Sequence, residues 1–206
     1  MTNVRSIDRL RQLPAVFSVN HAARVFEMDK RMLSVYLVRL QRTGLIKKAG
    51  PKAGIYYNML LGSPKTDPDA RNLVEAIRIA YPSAILYGAS VLHNAGWTTQ
   101  IPQAIHIVVL DKGSYPILDG VEIYRRSLAW YQRHAQDITQ TVDFETYGLP
   151  ALLPQACLND MRAVRDGWVP EPDDVISPDD VTSNTIGQHE ERAGGGVDTP
   201  KNGLTP

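Results

Sequence analysis

One cysteine in 206 residues, Cys157, leaves no material for an intramolecular disulfide or a multi-cysteine zinc site, so a reducing compartment is the natural home. A lone thiol beside apolar Leu158 is expected as core filler, not as a nucleophile. Apolar runs are short as well. No stretch approaches the roughly 20 residues needed to cross a bilayer, and MTNVRSIDRL contains no apolar signal core. A soluble, cytoplasmic, unexported protein is the expectation. Signatures of catalysis are also missing. His21, His93, His106, His134 and His189 are scattered, with no ligand pair at helical spacing. The zinc-protease, P-loop, dinucleotide and nucleophile-elbow motifs are absent. No catalytic residue, cofactor or metal ligand is assigned. Asp143 and Glu145, alternating on one strand face, come nearest to a nuclease-like metal site together with Asp111 and Lys112. They lack a third ligand at a convincing spacing, and such a pair is usually solvated. His106, inside an apolar strand, reads as a satisfied half-buried side chain, and His93 as a packing or hydrogen-bonding one.

What is present is an uneven distribution of charge. Formal net charge is zero, with 22 basic and 22 acidic residues, yet the first 60 residues hold 11 Lys and Arg against 3 Asp and Glu. The remainder holds 11 against 19. A basic front and an acidic back suit a chain whose first part meets polyanions and whose second part does something else.

The basic part is organised around residues 30–43. Asp29 is placed to cap this helix and Gly44 to stop it. Leu33, Tyr36, Leu37 and Leu40, at i, i+3, i+4 and i+7, form one buried stripe. Opposite lie Arg31, Val35, Val38 and Arg42, flanked by Ser34 and Arg39, with Lys30 at the start. A solvated basic face explains the arginines alone. Outward valines fit a major groove, where they pack on thymine methyl groups beside arginines that bond guanine or phosphate.

The surroundings of this helix reinforce that reading. A first helix over 3–13 ends before Pro14. Ser18 caps a second, whose inner face is Val19, Ala22, Ala23 and Phe26, and only Glu27 and Met28 separate it from Asp29. Beyond Gly44, a strand from Leu45, the turn GPKAG and a return over 55–57 make a hairpin carrying Lys47, Lys48 and Lys52. Residues 1–61 are thus expected to be a winged helix-turn-helix that binds double-stranded DNA, with Lys30, Arg31, Ser34, Val35, Val38, Arg39, Arg42, Lys47, Lys48 and Lys52 as its contact residues.

Residues 62–67, rich in Gly, Ser and Pro, are the expected linker. Residues 68–170 are expected to form a small α+β domain. Its elements are helices at 69–80, 83–95 and 152–165, the last stopped by Gly167, with strands at 103–110 and 121–124 and an extended segment at 139–147. From Glu171 onward there are 8 acids against Arg192 and Lys201, so 171–206 is expected to be an acidic, largely disordered tail. The fold class is therefore α+β with that tail.

Three stretches carry a family resemblance: FSVNHAARVFEMDKRMLSVYLVRLQRTGLI (17–46), AILYGASVLHNAGWTTQIPQAIHIVV (84–109) and GLPALLPQACLNDM (148–161). Together they resemble the AbiEi-type antitoxins, the regulator halves of bacterial abortive-infection toxin-antitoxin pairs, over roughly residues 4–168. The resemblance implies a winged helix that represses its own operon at inverted repeats. It also implies a second domain that counteracts a nucleotidyltransferase-like toxin without necessarily forming a stable complex with it. No catalytic set is carried over. A plain winged-helix regulator with no toxin partner, or a nucleic-acid-processing enzyme sharing the fold, is the alternative.

Overall fold

Capping and breaking residues fix the order of the first elements. The computed structural model describes residues 4–61, 70–111, 113–140 and 148–176. Helix α1 (Val4–Arg11) ends ahead of Pro14, and strand β1 (Val16–Ser18) follows. Ser18 then caps α2 (Val19–Phe26) by accepting the N–H of His21. Glu27, in the left-handed region at φ 51°, reverses the chain within the short turn before α3 (Lys30–Arg42). Asp29 Oδ1 caps α3 by accepting the N–H groups of Arg31 (2.8 Å) and Met32 (2.9 Å), a cap that contributes about 1 kcal/mol. Strands β2 (Ile46–Lys48) and β3 (Ile55–Asn58) form the hairpin. Strand β1 pairs antiparallel with the other side of β3, giving the order β1-β3-β2. Phe17, Phe26, Leu33, Leu37, Leu40 and Ile46 close one apolar cluster beneath α1. Asn58, buried, donates to the carbonyls of Leu10 and Leu13 and so satisfies the end of α1.

The second part opens with α4 (Ala70–Ala80) and builds a five-stranded mixed sheet. Its strands are β4 (Ile85–Leu86), β5 (Ile105–Leu110), β6 (Val121–Arg126), β7 (Ile138–Gln140) and β8 (Pro150–Leu152), in the order β6-β5-β4-β8-β7. Strand β5 lies between antiparallel β4 and parallel β6, which explains its continuous apolar run. Its alternate residues serve two layers: Ile107 and Val109 join a cluster with Val74 and Ile77 of α4, while Val108 joins one with Leu92, Leu158 and Met161. The second layer contains α5 (Gly88–Asn94), α6 (Leu128–Arg133) and α7 (Pro154–Val164). Seven α-helices and two sheets among the described residues make an α+β fold.

Three expectations are corrected. Residues 83–95 are not one helix. Ile85 and Leu86 pair with Val108 and Ile107, and Leu86 also with Ala151, because a short apolar run between two strands finds more hydrogen-bond partners there than in a lone helical turn. Gly88 at φ +60° then makes the bend into α5. The last helix starts at Pro154 instead of 152, since 150–152 are drawn into β8 beside β7. Its stop is Arg165, left-handed at φ 54°, and not Gly167. Helix α6, capped by Ser127, and strand β1 were not anticipated.

The expected linker at 62–67 and the tail beyond residue 176 lie outside the described residues. On either side of 62–69 the chain shares one core. Val16, Ala49, Ile55 and Tyr57 pack in the same cluster as Val74, Ile77, Tyr81 and Leu118. The N–H of Asp119 donates to Ala49 O (2.9 Å), joining the β5–β6 connection to the hairpin.

Candidate functional site

On α3 the buried stripe is Leu33, Leu37 and Leu40, with Tyr36 half-buried and edge-on to Phe26 at 5.1 Å. Burying that stripe turns the opposite face outward. Lys30, Arg31, Ser34, Val35, Val38, Arg39 and Arg42 are all exposed, the valines at 54% and 42%. Met32, 57% exposed, is an addition that sequence reasoning missed. It precedes Val35 by three positions and extends the outward apolar row, a spacing visible in the sequence once the inner stripe is set. The helix contains no acidic residue. Its C-terminus is finished by Thr43, whose hydroxyl donates to Leu40 O (3.0 Å) and Arg39 O (3.2 Å), and by Gly44 at φ +70°.

The chain passes directly from α3 into the hairpin, with Leu45 N–H donating to Leu40 O. Lys47 is exposed on β2, and Lys52 is exposed at the turn. Lys48 is half-buried, and its ammonium donates to Pro51 O, which holds it along the turn. Tyr57, between β1 and β2, has its hydroxyl pushed up to about 12, by burial first and by Asp119 second. The ten expected contact residues thus divide into seven on one exposed helix face and three on the adjoining hairpin, the hairpin being anchored from behind by 115–120.

A second polar constellation lies within the α5–α6–α7 layer. Asp160 of α7, 7% exposed, accepts from Tyr87 Oη (2.8 Å), Trp130 Nε1 (2.9 Å) and Arg126 Nη2 (3.4 Å). Arg126 also binds Asp166 and lies 5.3 Å over the Tyr87 ring. Burial raises the Tyr87 hydroxyl's pKa, and Asp160 adds to the effect, so the phenol stays protonated and donates. Both Asp160 oxygens are paired, Arg126 Nε alone being buried without a hydrogen-bond partner, and the network ties β6, α6 and α7 to the start of α5 with each carboxylate facing the guanidinium. Cys157 is fully buried, its thiol pushed up to about 12 by desolvation, and Gly88 N–H donates to its Sγ. It is core filler, as the sequence implied. His106 is buried, with Nδ1 3.1 Å from Tyr124 Oη.

Among the described residues no three His, Cys, Asp or Glu side chains gather to hold a metal ion. Asp143, Glu145 and Lys112 lie outside the described residues. No described helix is long and apolar enough to cross a membrane.

No protein-family model and no curated protein matches the chain. Among solved structures it is similar to the crystal structure of the RV2827C protein from Mycobacterium tuberculosis, with a TM-score of 0.50 and 19% sequence identity. The match covers 75% of this chain and 57% of that one, so the chain spans less than two thirds of that protein's length. At this identity the likeness concerns the fold alone.

Proposed function

We propose that the chain is a DNA-binding transcriptional regulator, with residues 4–61 acting as a winged helix-turn-helix and α3 as its recognition helix. One observation carries the reading: Met32, Val35 and Val38 are held outward on an acid-free helix among Arg31, Arg39 and Arg42. A merely solvated face would have no use for three exposed apolar side chains in a row. A groove supplies one, through thymine methyl groups beside guanine edges and phosphates. The hairpin bearing Lys47, Lys48 and Lys52 is suited to the neighbouring phosphates.

The second role proposed, cytoplasmic antitoxin against a nucleotidyltransferase-like toxin, rests on the resemblance of 17–46, 84–109 and 148–161 to the AbiEi-type antitoxins. The first role is tested by fluorescence anisotropy with the gene's own upstream region and a scrambled duplex, across a salt series. Preference for the upstream inverted repeats, with affinity falling steeply as salt rises, is expected. Equal, weak binding to both duplexes overturns it. Co-expression with a neighbouring nucleotidyltransferase-like gene tests the second, and failure to restore growth leaves only the regulator.

A further inference from the structure

Which bases α3 can distinguish follows from the groups it carries outward. Arg31, Val35, Val38 and Arg42, at i, i+4, i+7 and i+11, lie along the centre of its exposed face. The helix, KRMLSVYLVRLQR, has no Asn, Asp or Glu, and its one amide, Gln41, is half-buried on the flank. In the major groove adenine is read by a bidentate amide and the cytosine amino group by a carboxylate. Neither group stands on this face. The Ser34 hydroxyl, on the other flank, both donates and accepts and so selects no base. What remains is guanidinium, which pairs with guanine O6 and N7, and methyl groups, which pack on the C5-methyl of thymine.

Spacing assigns the contacts. At a rise of about 1.5 Å per residue, Val35 and Val38 are about 4.5 Å apart along the helix axis, near the step of about 3.4 Å between bases on one strand. The two side chains therefore meet neighbouring base pairs. Both are exposed, at 54% and 42%, and each β-branched side chain holds one χ1 rotamer in a helix, so its methyl groups are presented without further ordering. Arg31 stands about 6 Å before Val35 along the axis, within reach of a guanine beside them. We propose that α3 reads its half-site through thymine methyls and guanine edges, Val35 and Val38 each covering the C5-methyl of one of two neighbouring thymines and Arg31 bonding an adjacent guanine. This rests on the DNA-binding reading of α3 and narrows the DNA to sites whose identity is carried by a methyl group. Deoxyuridine pairs as thymine does but lacks that methyl, and 5-methylcytosine carries one at the same groove position.

Anisotropy titrations of the full chain on the gene's upstream duplex test this, each thymine of the footprinted half-site being replaced in turn by deoxyuridine. Two neighbouring positions are expected to lose about fourfold in affinity each, the effect of one buried methyl group, and the rest to be unchanged. Val35→Ala is expected to abolish the loss at one of the two positions and Val38→Ala at the other. Both side chains are exposed, so the variants keep the fold. Exchanging a sensitive T·A pair for C·G should weaken binding, and 5-methylcytosine at that position should recover about fourfold. Preference for the upstream duplex with every deoxyuridine tolerated, or with losses that both alanine variants retain, overturns the proposal and leaves the DNA-binding reading standing. Equal binding to the upstream and scrambled duplexes overturns both.

Discussion

The carbonyl oxygen of Ile117 occupies the space a side chain at Gly50 would need: a Cβ built there falls 2.0 Å from that oxygen and 2.9 Å from Leu118 Cα. Both obstacles are backbone, so neither swings aside. The glycine is needed for close approach of the hairpin turn to the β5–β6 connection. Gly50→Ala is therefore expected to destabilise the fold by about 1–3 kcal/mol through overpacking, read as a lowered urea midpoint at unchanged m-value. A midpoint equal to wild type would mean that the two surfaces are not in contact.

On the DNA-binding reading, Arg31→Ala should cost roughly 1–3 kcal/mol of specific affinity and relax sequence preference if the guanidinium reads a base. Lys52→Ala should weaken all duplexes alike and reduce the salt slope by about 1. Lys48→Ala is expected to act in the same way as Lys52→Ala, more weakly, because its ammonium already serves Pro51 O. Anisotropy titrations of the three variants at several salt concentrations separate these outcomes. Binding intact in all three would show that α3 and the hairpin do not meet DNA.

Much of the first part was legible because local chemistry decides it. Ser18, Asp29 and Gly44 mark helix ends by hydrogen bonds and backbone freedom that depend on a few neighbours, and the Leu33, Leu37, Leu40 stripe sets which side faces out. The face of α3 followed from that stripe alone. Strand β1 did not, since three residues between a proline and a cap carry no period, and pairing with β3 is what makes Val16–Ser18 extended. Ile85–Leu86 and Leu152 read as helical from the sequence for the same reason. Their state is set by strand partners distant in the chain, at Val108, Ile107 and Ala151 for Ile85–Leu86 and at Ile138 for Leu152.

Arg126 and Asp160, 8% and 7% exposed, hold each other with Tyr87 and Trp130 in the second layer. Removing one member leaves the other charge buried, which costs more than the pair itself contributes. Arg126→Ala is expected to destabilise the protein by about 3–5 kcal/mol in denaturant titrations. Asp166→Ala, at the partly exposed end of the network, should cost less. A loss under about 1 kcal/mol for Arg126→Ala would mean that water reaches Asp160.

His106 gives the fold a dependence on pH whose sign can be stated. Tyr124 Oη donates to Glu122 Oε1 (2.6 Å), so its oxygen is left to accept from His106 Nδ1–H (3.1 Å), which places the neutral imidazole's proton on Nδ1. Burial lowers the pKa from 6.5, while Glu122, 3.6 Å from Nε2, opposes the shift. A folded value below the unfolded one means that the unfolded chain binds more protons in the window between them, so stability rises with pH there. The contribution is fully present above about 6.5 and is lost as the pH falls through the folded value. One proton gives a slope of at most about 1.4 kcal/mol per pH unit. Thermal or urea unfolding from pH 7.5 down to 5 should therefore show a decline that His106→Gln flattens. Glu122→Gln should steepen it, because removing the opposing carboxylate lowers the folded value further. Parallel curves for wild type and His106→Gln would assign the decline to other groups.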